Sequence, residues 1–286
     1  MKKQNNIGLT LAIASPCFFA VFNIGLRLIT QQMTVWGIMF IRGFLGIAVV
    51  LLAAKIMRYR LNFSKLGLLL SIGLISISGS ASNITAISKI PLYQAIVILY
   101  LYPAFSVILG YLINRDKIGL MDCLGVAVAF TGCVLLVWPN KSAGLEFSLG
   151  HILSIVGACL YSLTCVLTRR IGQDSSGLEP FLAFSVFGAL LSWPLSQFFG
   201  VNLAIDSGME VLKGTGVALL GCAGQLMAFA ALRFLPAYKV GVIGSLEILG
   251  SAMASWLLFN DPMTIRTIIG GAIIFYAAFG FRTKRP

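Results

Sequence analysis

The chain has 286 residues, 58% of them hydrophobic and only 10% formally charged. Soluble domains run near 45–50% apolar and about 25% charged, so a soluble globular domain is excluded. The 21 Lys and Arg against 9 Asp and Glu give a net charge of +12, but the basic residues stand singly or in small groups between apolar runs, which fits cytoplasmic loops and no nucleic-acid partner.

A helix needs roughly 20 apolar residues to cross a hydrocarbon core of about 30 Å. The apolar runs predict ten such spans, over residues 7–30, 33–54, 64–88, 91–113, 118–138, 148–170, 178–200, 211–234, 237–258 and 264–281. Ten spans of about 21 residues leave roughly 76 for nine connections and two tails, too few for a separate soluble domain. The first run follows Lys2 and Lys3 and is too long for a secretory signal core, so it is read as a retained span. Pro91, Pro180, Pro236 and Pro262 stand where helices open, and Pro139 follows the fifth. Pro16, Pro103 and Pro194 fall inside runs and predict kinks. The six cysteines lie in apolar runs without CxxC spacing and there is one His, so neither a metal site nor a cofactor is expected.

Loop charge predicts the orientation. With the N-terminus cytoplasmic, fourteen basic residues fall inside (Lys2, Lys3, Lys55, Arg58, Arg60, Lys65, Arg115, Lys117, Arg169, Arg170, Arg233, Arg282, Lys284, Arg285) and four outside (Lys89, Lys141, Lys213, Arg266). Both termini are then cytoplasmic, in a multi-pass protein of the inner (cytoplasmic) membrane.

An internal repeat is visible on comparing the chain with itself. At an offset of 145, Gly79 matches Gly224, Ala86 Ala231, Pro91 Pro236, Tyr93 Tyr238, Val97 Val242, Ser106 Ser251, Leu112 Leu257, Asp116 Asp261 and Gly125 Gly270. At 142, Gly8 matches Gly150, Cys17 Cys159, Arg27 Arg169 and Gly46 Gly188. The expected fold is an all-α integral membrane protein whose ten transmembrane helices form two five-helix repeats, 1–143 and 144–286. Because five is odd, the second copy crosses in the opposite sense. Inverted repeats with a midplane substrate site are a common plan among secondary transporters.

The segments YPAFSVILGYLINRDKIGLMDCLGVAVAFTGCVLL and LEILGSAMASWLLFNDPMTIRTIIGGAIIFYAAFGF resemble the closing signature of the EamA repeat of the drug/metabolite transporter (DMT) superfamily. That signature pairs a Pro or Glu-Pro with an acidic residue about fourteen positions on and a Gly nine beyond. Pro103, Asp116 and Gly125 fit the first copy, and Glu247, Asp261 and Gly270 the second. The span bearing Arg42 and the sixth, ending in Arg169 and Arg170, also resemble the family's. Asp stands at 116 and 261 where Glu is more usual, Ile248 replaces a Pro, and Phe18 and Phe19 stand where the first helix usually has Trp. The resemblance covers essentially the whole chain and implies solute transport.

Arg42 and Glu247 fall near the middle of their spans, where a lone charge costs about 2.5–3.5 kcal/mol on insertion scales. Each should face protein. They are candidates for each other's partner, or for the carboxylate and amine of a bridging zwitterion; structural roles for both remain open. Glu247 is also a candidate carrier for a coupling proton. Ser76, Ser80 and Asn83 share one stripe of the third helix, and the 145 offset pairs Ser80 with Gln225 and Tyr102 with Glu247. Asn23, Ser80, Asn83, Tyr102, Tyr161 and Gln225 are predicted cavity residues, with interhelical hydrogen bonding the competing role. Asp116 and Asp261 are predicted gating or capping residues at helix ends, and His151 is predicted interfacial.

The resulting expectation is a secondary transporter, with the lipid bilayer and a small polar or amphipathic metabolite, such as an amino acid, as its partners. Drug or cation efflux on the same fold is the alternative, and a non-transporting scaffold or receptor the rival from another class. An enzyme is not expected: there is no GxSxG, the one His lies near a surface, and Asp116, Asp122 and Asp261 lie at span ends.

Overall fold

The computed structural model describes residues 2–29, 34–87, 89–90, 95, 98–137, 148–172, 176–198, 200, 208–259 and 265–280. Among these the secondary structure is helical throughout. The helices are α1 (Lys2–Ile29), α2 (Val35–Ile56), α3 (Leu66–Ile87), α4 (Tyr102–Asn114), α5 (Leu120–Val137), α6 (Leu149–Ile171), α7 (Leu178–Phe198), α8 (Gly208–Ala231), α9 (Ala237–Gly244), α10 (Leu246–Phe259) and α11 (Ile265–Gly280).

The predicted spans coincide with these helices to within a few residues, except where they break. The ninth span is two helices, α9 and α10, separated at Ser245, whose N–H bonds back to Gly241 O at 3.2 Å. In the fourth span α4 starts only after a turn at Tyr100 and Leu101, and Pro103 sits in its first turn. The predicted kink at Pro103 is thus a helix start, because a ring without an N–H is tolerated there. Tyr100 and Ser245 are equivalent under the 145 offset, so the two breaks occupy the same repeat position. Pro16 and Pro194 lie within continuous helices. Pro91, Pro139, Pro262 and Asp261 lie outside the described residues.

Among the described residues, seven stretches are long and apolar enough to cross a membrane, and α4, α5 and α11 hold shorter apolar segments. Phe44, Leu51, Leu52, Leu70, Leu120, Ile268 and Phe275 are exposed, while Ser106, Ser154, Ser162, Ser185 and Ser192 are fully buried. Large apolar groups outside and small hydroxyls inside are what a lipid solvent selects, since apolar burial gains little there and packing with interhelical hydrogen bonds holds helices together.

The chain forms two compact units, each drawing on both halves of the sequence: Met1–Ile77 with Leu167–Phe234, and Ser78–Val166 with Leu235–Pro286. In the first, α2 packs along α7 and α1 along α8. Small residues permit the approach: Gly43 faces the Gly188–Ala189 backbone, Gly46 faces Ser185, and Gly25 faces Val217. In the second, α5 packs along α11 where Gly132 faces Gly270 O and Ile274, and α4 packs against α9.

Loop chemistry fixes the helix starts in the first unit. Thr34 caps α2, its Oγ1 accepting from Gly37 N at 3.2 Å. At the start of α7, Glu179 reaches back to accept from Ser176 N at 3.2 Å, the reciprocal half of a Ser-x-x-Glu capping box. The other oxygen of this buried carboxylate accepts from Tyr59 OH at 2.9 Å and Asn62 N at 3.0 Å, tying the α2–α3 loop to α7.

Candidate functional site

The predicted polar residues fall into one group per unit. In the first unit Arg42 is buried on α2, and its Nη2 donates to Gly221 O at 2.9 Å and to Gln225 Oε1 at 3.3 Å, both on α8. Gly221 makes this possible, because a Cβ there would lie 3.2 Å from Arg42 Nε and 2.9 Å from the Phe22 ring. The guanidinium carbon lies 5.8 Å from the ring centre of Phe19 and 5.3 Å from those of Phe22 and Phe184. Three aromatic faces within about 6 Å offset part of the charge's desolvation. Asn23 is half-buried on α1, next to Phe22.

In the second unit the later part of α3, from Ser78 onward, packs on α6. A Cβ on Gly79 would lie 3.5 Å from Tyr161 N, and one on Gly157 would lie 3.5 Å from Asn83 Cβ. Ser80 and Asn83 are half-buried there, and Asn83 Oδ1 meets no hydrogen-bond partner among the described residues. Ser76 lies on the part of α3 that belongs to the first unit, where it is buried and its hydroxyl donates to Ile72 O at 2.6 Å, satisfied within its own helix.

Tyr102 opens α4 at the break. Its ring lies 4.8 Å from that of Tyr161 in an edge-to-face contact and 5.8 Å from that of Tyr100, and its hydroxyl donates to Gly241 O at 3.3 Å. Glu247, its repeat-mate, is half-buried in the first turn of α10, within electrostatic reach of Tyr100 and Tyr102. A helix N-terminus favours a carboxylate. The second unit therefore assembles three phenols, a carboxylate and Ser80 and Asn83 of α3 around the break-bearing helices.

Asp116 follows Arg115, which closes α4 in the left-handed region (φ 54°), and its N–H donates to Gly110 O at 3.2 Å. Its carboxylate packs over Gly110, just past the end of α4. His151 is buried in the first turn of α6 with Nδ1 accepting from Ser148 N at 3.0 Å, so it caps that helix.

Three features escape the sequence reading. Tyr100 joins the phenol group; its signal was its equivalence to Ser245, visible only once the helices are known to break. Ser106 and Ser162 share a buried hydrogen bond of 3.0 Å between α4 and α6. Lys239 Nζ lies 4.0 Å from the buried Asp122, whose Oδ2 accepts from Gly119 N at 2.9 Å. A lysine inside a predicted span was the available clue for this pair.

A sequence profile described as the EamA-like transporter family matches the chain twice, over residues 6–138 and 148–283. The chain belongs to the EamA-like transporter family. This EamA-like protein is 23% identical over 281 residues to the "Pseudopaline exporter CntI" of Pseudomonas aeruginosa, covering 97% of each chain. It is 24% identical over 206 residues to the "Riboflavin transporter" of Rhizobium johnstonii, covering 70% of this chain and 65% of that one. Among other curated relatives the match spans little more than half of the relative's length, 58% and 55% in two cases. A crystal structure superposes with a TM-score of 0.79 at 17% identity, covering 95% of this chain and 96% of the other. The EamA-like chain is thus a multi-pass membrane protein of a small-molecule transporter family.

Proposed function

We propose that the protein is a secondary transporter that moves a small polar or amphipathic metabolite, an amino acid or related compound, across the inner (cytoplasmic) membrane by alternating access. The chain is read as two inverted five-helix repeats, residues 1–143 and 144–286, with both termini cytoplasmic. The observation that carries this is the pair of helix breaks at Tyr100–Leu101 and Ser245, one repeat apart, each followed by a half-helix whose first turn bears a polar side chain, Tyr102 or Glu247. Broken helices at corresponding positions of two halves are where transporters of this plan bind solute. The double profile match supports the repeat, and the names of the relatives above support a small organic solute.

The groups proposed to bind the solute or line its path are Asn23, Arg42, Ser80, Asn83, Tyr102, Tyr161, Gln225 and Glu247. Asp116 and Asp261 are proposed as helix-end gating residues, and Glu247 as the carrier of a coupling proton. Tyr100, Tyr102 and Tyr161 beside Glu247 favour a second reading, efflux of an organic cation, since phenol faces and a carboxylate both attract an ammonium.

The test is flux into proteoliposomes of purified protein, challenged with labelled amino acids, nucleosides, riboflavin and cationic drugs, with and without a pH gradient. Saturable flux of an amino acid supports the first reading, and flux confined to cations the second. No saturable flux of any compound refutes transport. Unchanged flux and pH dependence in Glu247→Gln removes the proton role.

A further inference from the structure

Gln225 is buried in the second half of α8, and among the described residues its side chain makes one hydrogen bond, accepted from Arg42 Nη2 at 3.3 Å. A guanidinium has donors only, so the amide can meet it only through Oε1; chemistry alone fixes which way the amide turns. Its Nε2 then presents two N–H donors elsewhere. The acceptor end is polarised by the positive charge on Arg42, and in a low-dielectric interior such polarisation strengthens the donor end in the same sense.

The neighbouring stretch of α8 and the guanidinium are packed by aromatic rings. The Phe19 ring lies along Gly224, one residue before Gln225, where a Cβ would come within 3.1 Å of it. Phe19, Phe22 and Phe184 ring the guanidinium itself, and its Nη2 is held by Gly221 O and Gln225. These contacts hold Arg42 in place along α8.

We infer that Gln225 is the residue that recognises the solute's carboxylate, through its two Nε2–H donors, and that Arg42 is a positioning residue that locks and polarises the amide. Resting on the transport reading above, this assigns the solute a carboxylate. An ionised acceptor is favoured over a neutral one because charge-assisted hydrogen bonds are about twice as strong.

The experiment is calorimetric binding to the full-length protein in detergent. The probes are L-phenylalanine, 3-phenylpropionate, which lacks the amine, and L-phenylalaninol, in which a hydroxymethyl group replaces the carboxylate. The wild type is expected to bind both carboxylates about tenfold or more tighter than phenylalaninol. Gln225→Glu keeps an acceptor for Arg42 and so keeps the fold, but has no donors. It should weaken both carboxylates by about tenfold or more and phenylalaninol by less than about threefold. Gln225→Met, close in shape and without donors, should lose the same preference and serves if the Glu variant does not fold. Arg42→Lys, which retains a donor for Oε1, should keep the preference at lower affinity; Arg42→Met, which frees the amide to turn, should lose it.

Wild-type protein that binds phenylalaninol as tightly as phenylalanine, or binds neither carboxylate, overturns the inference. So does an unchanged carboxylate preference in both Gln225 variants. Flux of the same probes separates the two levels of the account. Saturable flux whose carboxylate preference survives Gln225→Glu overturns this inference and leaves transport standing. Gln225-dependent carboxylate binding without flux supports it and counts against transport.

Discussion

Replacing Gly43 by Ala drives a methyl group into the backbone of α7. The added Cβ would lie 2.7 Å from Ala189 Cα and 2.9 Å from the Gly188 carbonyl carbon, and closer still to Ala189 N. Carbon atoms pack at about 3.5–4.0 Å, so α2 and α7 must separate by about 1 Å, because a backbone has no rotamer to give way. Overpacking of this kind costs about 3 kcal/mol, the upper end of its usual range. Alanine returns about 1 kcal/mol of helix propensity, leaving a net loss of about 2 kcal/mol. For a chain of 286 residues that lowers the melting temperature by about 3 °C. Gly188→Ala is the control on the opposite helix. There the nearest atoms to a new Cβ are Gly43 Cα at 3.6 Å and Met39 O at 3.9 Å, ordinary contacts. Its melting temperature should be unchanged or raised by up to about 2 °C. The assay is thermal unfolding of both variants in one detergent. Equal losses in the two variants, or no loss in Gly43→Ala, would refute the account of the α2–α7 contact.

Glu179→Ala strands the Asn62 and Ser176 N–H groups and should cost about 2–4 kcal/mol in denaturant unfolding, against about 1 kcal/mol for Tyr59→Phe. Burial, followed by the hydrogen bond to Glu179, raises the Tyr59 phenol above its ordinary 10.0. Tyr59 therefore contributes its full stability below about pH 10 and loses it as pH climbs through the raised value, and unfolding followed from pH 9 to 12 should show that step shrink in Tyr59→Phe. Ser106→Ala or Ser162→Ala should each cost about 1–2 kcal/mol by leaving a buried hydroxyl alone, while the double variant should lie close to wild type, a non-additivity read by a double-mutant cycle.

The span count and most helix bounds were legible because lipid demands long apolar runs and little else interrupts them. The breaks were less so: Ser245 and Leu101 are ordinary helix residues, and only the flanking Pro103 hinted at one of them. The 145 offset identified Tyr102 and Glu247 as a pair, and the structure sets both in the first turn of a half-helix. Arg42 was legible as a buried charge, but its partners were not, since Gly221 and the rings of Phe22 and Phe184 read in sequence as packing residues. Glu179 was passed over because a carboxylate at a helix start looks like an exposed cap, whereas its burial comes from the α2–α3 loop folding over it.

Trans-stimulation tests the transport mechanism most directly. Proteoliposomes containing the purified protein are preloaded with unlabelled L-phenylalanine or buffer, and entry of labelled L-phenylalanine is followed across a concentration series. Alternating access predicts saturable entry that accelerates several-fold over empty vesicles when the interior is loaded. Entry that rises linearly with concentration and ignores the interior solute would contradict the account.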